Sequence, residues 1–145
     1  MDNEISNTAS ANAEGAKGVI LLVDDDKFLL DMYSMKFQNA GYDVHACLSA
    51  EDSLKELREG LKPDVILLDL IMPEYDGFSF LSALAKENLA SGSVVIALTN
   101  ESDDKAKKRA IESGADSVLE KATMIPTEVL HLVEEEIGKL RTHTP

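Results

Sequence analysis

Carboxylates gather at the ends of apolar runs in this chain. Asp24, Asp25 and Asp26 directly follow the run Val19 to Val23, and Asp69 follows Val65 to Leu68. Thr99 closes the run Val94 to Leu98, and Lys121 follows Ser117 to Glu120. Two carboxylates about 4 Å apart near a protein surface repel by roughly 4 kcal/mol. A cluster of Asp24, Asp25 and Asp69 therefore calls for a compensating cation. Mg²⁺ suits it, because that ion takes hard oxygen ligands and keeps several waters. With the Lys121 ammonium and the Thr99 hydroxyl added, the set equips a carboxylate nucleophile for phosphoryl transfer.

Each residue alone has a plainer reading. Asp26 is expected to cap the helix that follows, since Asp at an N-cap accepts backbone N–H groups and offsets the helix dipole. Asp69 alone reads as a loop residue, Thr99 as a cap and Lys121 as a solvated surface lysine. What favours a site is that all of them stand just behind apolar runs.

Those runs are strand-like. Val19 to Val23, Val65 to Leu68 and Val94 to Leu98 are continuously apolar, Tyr42 to Ala46 reads as a weaker edge strand, and Ser117 to Leu119 is a short fifth. Uninterrupted apolar strands imply a parallel sheet covered on both faces. Helical spacing lies between them. Leu29, Met32, Tyr33, Phe37 and Ala40 form one stripe, stopped at Gly41. Ala50, Leu54, Leu57 and Leu61 form a second, with Ser49 as N-cap. Phe78, Leu81 and Leu84 or Ala85 form a third. A charged helix over 102–113 carries a thin stripe of Ala106, Ala110 and Ile111 and stops at Gly114. Val129, Leu132, Val133, Ile137 and Leu140 form the fifth. Strands alternating with helices predict a doubly wound α/β fold, in which ligands bind outside the carboxyl ends of the strands.

Bulk properties narrow the function. The chain has 145 residues, which suits one domain, and a formal net charge of -13. Such acidity argues against nonspecific nucleic-acid binding and against anionic membrane surfaces. A single cysteine, Cys47, excludes an internal disulfide and reads as a buried small apolar residue. No run approaches the roughly 20 apolar residues of a membrane span, and the N-terminus has no secretory pattern. Residues 1–17 read as a disordered tail and 142–145 as a short C-terminal tail. His45, His131 and His143 are scattered and receive no catalytic role.

The stretches ILLVDDDKFLLDMY, DVILLDLIMPEYDGFSFL, VVIALTNES and GADSVLEKA resemble the receiver domain of bacterial two-component response regulators. The likeness spans residues 18–141. It implies a flavodoxin-like, five-stranded parallel sheet of order 2-1-3-4-5 with five helices. It also implies roles: Asp69 as phosphoacceptor, Asp24 and Asp25 as the acid pair for Mg²⁺, and a metal-facing backbone carbonyl from Ile71. Thr99 would be the switch hydroxyl and Lys121 the partner of Asp69 or its phosphate. Pro73 and Gly77 would shape the loop beyond the phosphosite. The implied partners are a sensor histidine kinase or a histidine phosphotransfer protein, and an unknown downstream protein, with neither nucleic acid nor membrane. The implied setting is cytoplasmic, as a stand-alone monomer or a weak phosphorylation-dependent dimer. No turnover beyond self-phosphorylation and self-dephosphorylation is expected.

Two positions depart from the family pattern. Ala122 follows Lys121 where proline with a cis bond is usual, and Val118 stands where an aromatic switch residue is usual. The rival reading is a receiver-like scaffold that binds partners without phosphorylation. A catalytic small-molecule phosphatase fits less well, because Leu70 and Ile71 supply no second acid–base carboxylate behind Asp69.

Overall fold

The computed structural model describes residues 15–70, 77–99, 104–120 and 126–142. Five strands, β1 (Val19–Val23), β2 (Asp43–Cys47), β3 (Val65–Asp69), β4 (Val94–Thr99) and β5 (Ser117–Glu120), form one parallel sheet. Its order is β2-β1-β3-β4-β5. The helices between and after them are α1 (Lys27–Asn39), α2 (Ala50–Arg58), α3 (Gly77–Glu87), α4 (Asp104–Glu112) and α5 (Pro126–Thr142). Architecture and order agree with the expectation from sequence.

The strands are apolar throughout because each buries both faces. Ile20, Leu22, Val65, Leu67, Ile96 and Leu98 point to one side, where α1 and α5 cover them. Leu21, Val23, Ile66, Leu68, Val95 and Ala97 point to the other, under α2, α3 and α4. Side chains alternate across a strand, so one run of residues feeds two cores.

Helix faces follow the predicted period with shifts of one or two positions. In α1 the buried positions are Leu30, Tyr33 and Phe37, with Leu29 only partly buried. In α3 Phe80 takes the deep position expected of Phe78. Ile111 is 48% exposed, and Ala110 is the one buried residue of α4. Successive helical residues are about 100° apart, so the neighbour of a buried residue points away from the core. The second strand begins at Asp43 and reaches Cys47, while Tyr42 packs its ring edge-to-face on Phe37 at 6.0 Å.

Caps set the boundaries. Asp26 accepts the N–H groups of Phe28 and Leu29, and Ser49 accepts that of Asp52. Gly41 and Gly114 stand at positive φ just beyond α1 and α4, as their helix-stop reading requires. Lys17, grouped by composition with the N-terminal tail, is tied to the domain. Its N–H donates to Gly41, and its ammonium lies 3.6 Å from Glu134 and over the Tyr42 ring. Residues 1–14 of the expected N-terminal tail and 143–145 of the expected C-terminal tail over 142–145 lie outside the described residues, while Thr142 closes α5. Between α2 and α3, Arg58 grips Glu87 through two hydrogen bonds, and its guanidinium lowers the Glu87 carboxyl below its ordinary range.

Phe37 is fully buried and joins α1 to Tyr42 and α5. Phe37→Ala should cost about 3–5 kcal/mol. Urea unfolding followed by circular dichroism would read this as a lower midpoint with an unchanged slope. A midpoint within error of the parent would show that α1 does not depend on this contact.

Candidate functional site

Register brings the acids together. Val23 on β1 pairs with Leu68 on β3, so the next residues, Asp24 and Asp69, emerge level on adjacent strands. Asp69 in turn stands opposite Leu98, which places Thr99 one residue further toward the rim of β4. Asp24, Asp69 and Thr99 are buried at 4%, 6% and 2% exposure, whereas Asp25 is exposed.

Local hydrogen bonds fix this rim. The Asp24 N–H donates to the Cys47 carbonyl at 3.2 Å and carries the ladder to β2 one step past the strand. The Asp24 carboxylate accepts the Asp26 N–H at 3.0 Å. Such an Asx turn bends the chain so that Asp26 can cap α1. The three adjacent acids thus divide their work, as expected: Asp26 caps, while Asp24 and Asp25 face the rim. On β3, the Leu70 N–H donates to the Leu98 carbonyl at 3.0 Å, and the Gly77 N–H donates to the Leu70 carbonyl at 2.8 Å. The start of α3 is therefore bonded to the end of the strand that carries Asp69.

Gly77 is required by contact. A Cβ there would lie 2.6 Å from the Leu70 Cα and 3.0 Å from the Asp69 carbonyl oxygen. Backbone atoms cannot rotate away, so any larger residue must displace α3 or the strand end.

One carboxylate oxygen from each of Asp24, Asp25 and Asp69 can be chosen so that all lie within 4.8 Å of one another. Oxygens on opposite sides of one Mg²⁺ are about 4.2 Å apart, twice the usual bond length. A small inward adjustment of these side chains would let the donor set hold a single hard cation. Ile71, Pro73, Asp76, Lys121 and Ala122 lie outside the described residues.

Other polar groups have structural partners that the sequence did not disclose. At the opposite end of the sheet, Asp64 accepts the Val19 N–H and Asp116 accepts the Val95 N–H. His45 on β2 lies between Asp43 and Glu56, 3.4 Å from each. It stands level with Leu21, two residues before the end of β2. Arg109 stacks on Phe78, joining α4 to α3. No single-sequence signal marks such long-range pairs.

Comparison with known proteins decides the family. Residues 20–133 match the response regulator receiver domain. The chain belongs to this family. The DNA-binding dual master transcriptional regulator RpaA of Synechocystis is 36% identical over 104 residues, covering 70% of this chain and 42% of RpaA. The receiver thus spans less than half the length of that relative. Among solved structures, the Francisella response regulator 1452 receiver domain is 28% identical with a TM-score of 0.75. The match covers 86% of this chain and 99% of that one. A CheY-like receiver domain protein of Methanospirillum hungatei is 25% identical with a TM-score of 0.77, over 87% and 98% of the two chains. The sheet order and the acidic rim of this receiver accord with the membership. No helix among the described residues is long and apolar enough to cross a membrane.

Cys47 borders the rim through its backbone, and its thiol is buried. Burial pushes it from an ordinary 9.0 up to about 12, the neighbouring Glu56 carboxylate adds to this, and the Ser53 hydroxyl opposes it. The unfolded thiol ionises first, so its contribution to stability is full below pH 9 and lost as pH rises toward 12. Ellman's reagent at pH 8 should label Cys47 only after urea is added. Labelling of native protein at the rate of a free thiol would contradict the assignment.

Gly77→Ala should destabilise the receiver by about 1–3 kcal/mol, the usual cost of overpacking. Gly138→Ala is the control, because a Cβ there meets nothing within 4 Å. Equal thermal midpoints for the two variants would remove the contact at Leu70 as a constraint.

Proposed function

We propose that this receiver is a phosphorylation-dependent switch in which Asp69 accepts the phosphoryl group. The observation that carries the reading is the level placement of Asp69 and Asp24, with Asp25 in reach, at the carboxyl end of the central strand. A carboxylate oxygen of Asp69 attacks phosphorus. An O–P bond forms to Asp69, and the bond to the donor breaks, either the N–P bond of a phosphohistidine or the O–P bond of acetyl phosphate. The leaving imidazole or acetate keeps the bonding electrons. Attack of water on the acyl phosphate returns inorganic phosphate and the free carboxylate.

Asp24, Asp25 and Asp69 would hold Mg²⁺, joined by the backbone carbonyl of Ile71. The ion, when bound, neutralises charge on the transferring oxygens. Asp24, held by its bonds to Cys47 and Asp26, keeps its carboxylate aimed beside Asp69. Lys121 would pair with the phosphorylated Asp69. Thr99, buried at the end of β4, supplies a hydroxyl that the added charge draws inward. The same reading assigns a sensor histidine kinase or histidine phosphotransfer protein as donor, a downstream protein as reader, and a cytoplasmic setting. No external substrate is turned over.

The test is intact-mass spectrometry after incubation with acetyl phosphate, with and without Mg²⁺, beside Asp69→Asn. The expected result is a Mg²⁺-dependent gain of one phosphoryl group that the variant lacks. No gain, with acetyl phosphate or a panel of phosphorylated histidine donors, would replace the switch by a phosphorylation-independent scaffold.

A further inference from the structure

The acidic rim must communicate with a surface if phosphorylation is to be read, and β5, with the sequence Ser-Val-Leu-Glu, offers no aromatic side chain to do so. The contacts of α4 supply a different route. This helix is weakly anchored, since Ala110 is its one buried residue. A cleft of about 270 Å³ opens beside it, lined by Leu84, Ala85 and Ser91 on the α3 side and by Ser113 and Gly114 just past α4. Side-chain contacts between described residues bridge α4 to its neighbours. The Arg109 guanidinium lies over the Phe78 ring, 3.9 Å from its centre, and the Lys107 ammonium lies 3.8 Å from Glu120 at the end of β5.

Phe78 is well placed to report on the rim. It follows Gly77, whose N–H is bonded to Leu70 and whose missing side chain lets α3 sit against the Asp69 carbonyl. A shift of that strand end moves Gly77 and hence the Phe78 ring. Among the described residues Arg109 makes no ion pair with a carboxylate, so the ring is what orients its guanidinium. A helix with so few buried contacts can change position when one of them is lost.

We infer that the Arg109–Phe78 stack is a latch that holds α4 in its unphosphorylated position and is released when Asp69 is phosphorylated. This regulation rests on the reading of Asp69 as phosphoacceptor. It differs from that reading in what it requires of Arg109, which lies on a helix that supplies no group to the acidic rim.

Hydrogen–deuterium exchange of the peptide over 104–112 tests it, with phosphoryl incorporation read by intact mass on the same samples. In the parent protein, acetyl phosphate and Mg²⁺ should speed exchange in α4. In unphosphorylated Arg109→Ala and Phe78→Leu, exchange should already be faster by roughly two- to fivefold, the value of one exposed cation–π contact. Phosphorylation should then add little, while incorporation at Asp69 stays at the parent level. The double variant should match the single ones, because both remove the same contact. Parent-like exchange in the unphosphorylated variants would overturn the latch. So would fast exchange that still rises on phosphorylation as in the parent, since the stack would then be structural only. If the parent takes up no phosphoryl group, the proposed function fails and release on phosphorylation fails with it. The unphosphorylated comparison still shows whether the stack restrains α4.

Discussion

The register between β1 and β3 is the constraint on which the rim depends. Pairing Val23 with Leu68 sets Asp24 beside Asp69. A slip of one residue would shift the two by about 3.3 Å and turn every side chain of the slipped strand to the opposite face. That error is prevented far from the acids. Ile20 and Leu22 fill the core under α1 and α5, while Leu21 and Val23 fill the other, and neither set can exchange faces without misfitting both cores. Apolar packing thus holds together groups that repel one another. The sheet can oppose charges at its end because its interior leaves the strands no alternative alignment.

The ladder extends this control past the strands. Bonds from Asp24 to Cys47 and from Leu70 to Leu98 continue the sheet into residues that already belong to the site. Gly77 then returns the chain to Leu70 and starts α3 against it. The rim is rigid on the β1 and β3 side through backbone bonds. On the α4 side the described residues show side-chain contacts, Arg109 on Phe78 and Lys107 with Glu120. Rigidity where charge must be positioned, and weak anchoring where a surface is to respond, are the two properties that a switch needs to combine.

Much of this was legible in the chain. Continuous apolar runs followed by Asp or Thr exposed both the parallel sheet and its functional end, because burial on two faces leaves no other pattern. Caps were equally readable: Asp26, Ser49, Gly41 and Gly114 act through backbone within a few residues. Errors came where neighbours in a helix compete for one buried slot. Leu29 and Leu30, or Phe78 and Phe80, have similar hydrophobicity, and the direction of the core selects between them. Ile111 misled for a related reason, as α4 buries too little to need it. Long-range polar pairs, such as Asp64 with Val19 or Arg109 with Phe78, left no trace, since their partners lie in different elements.

The edge strand β2 has a consequence for the protein at high concentration. An open sheet offers unpaired backbone groups on its outermost strands, and another chain can add there. Here β2 carries Asp43 and His45, and His45 lies between the Asp43 and Glu56 carboxylates, so an added strand would have to pack beside charged groups. On the opposite edge, β5 is short and half exposed, and it ends in Glu120. Charge at both margins of the five-stranded sheet thus disfavours its extension by a further strand.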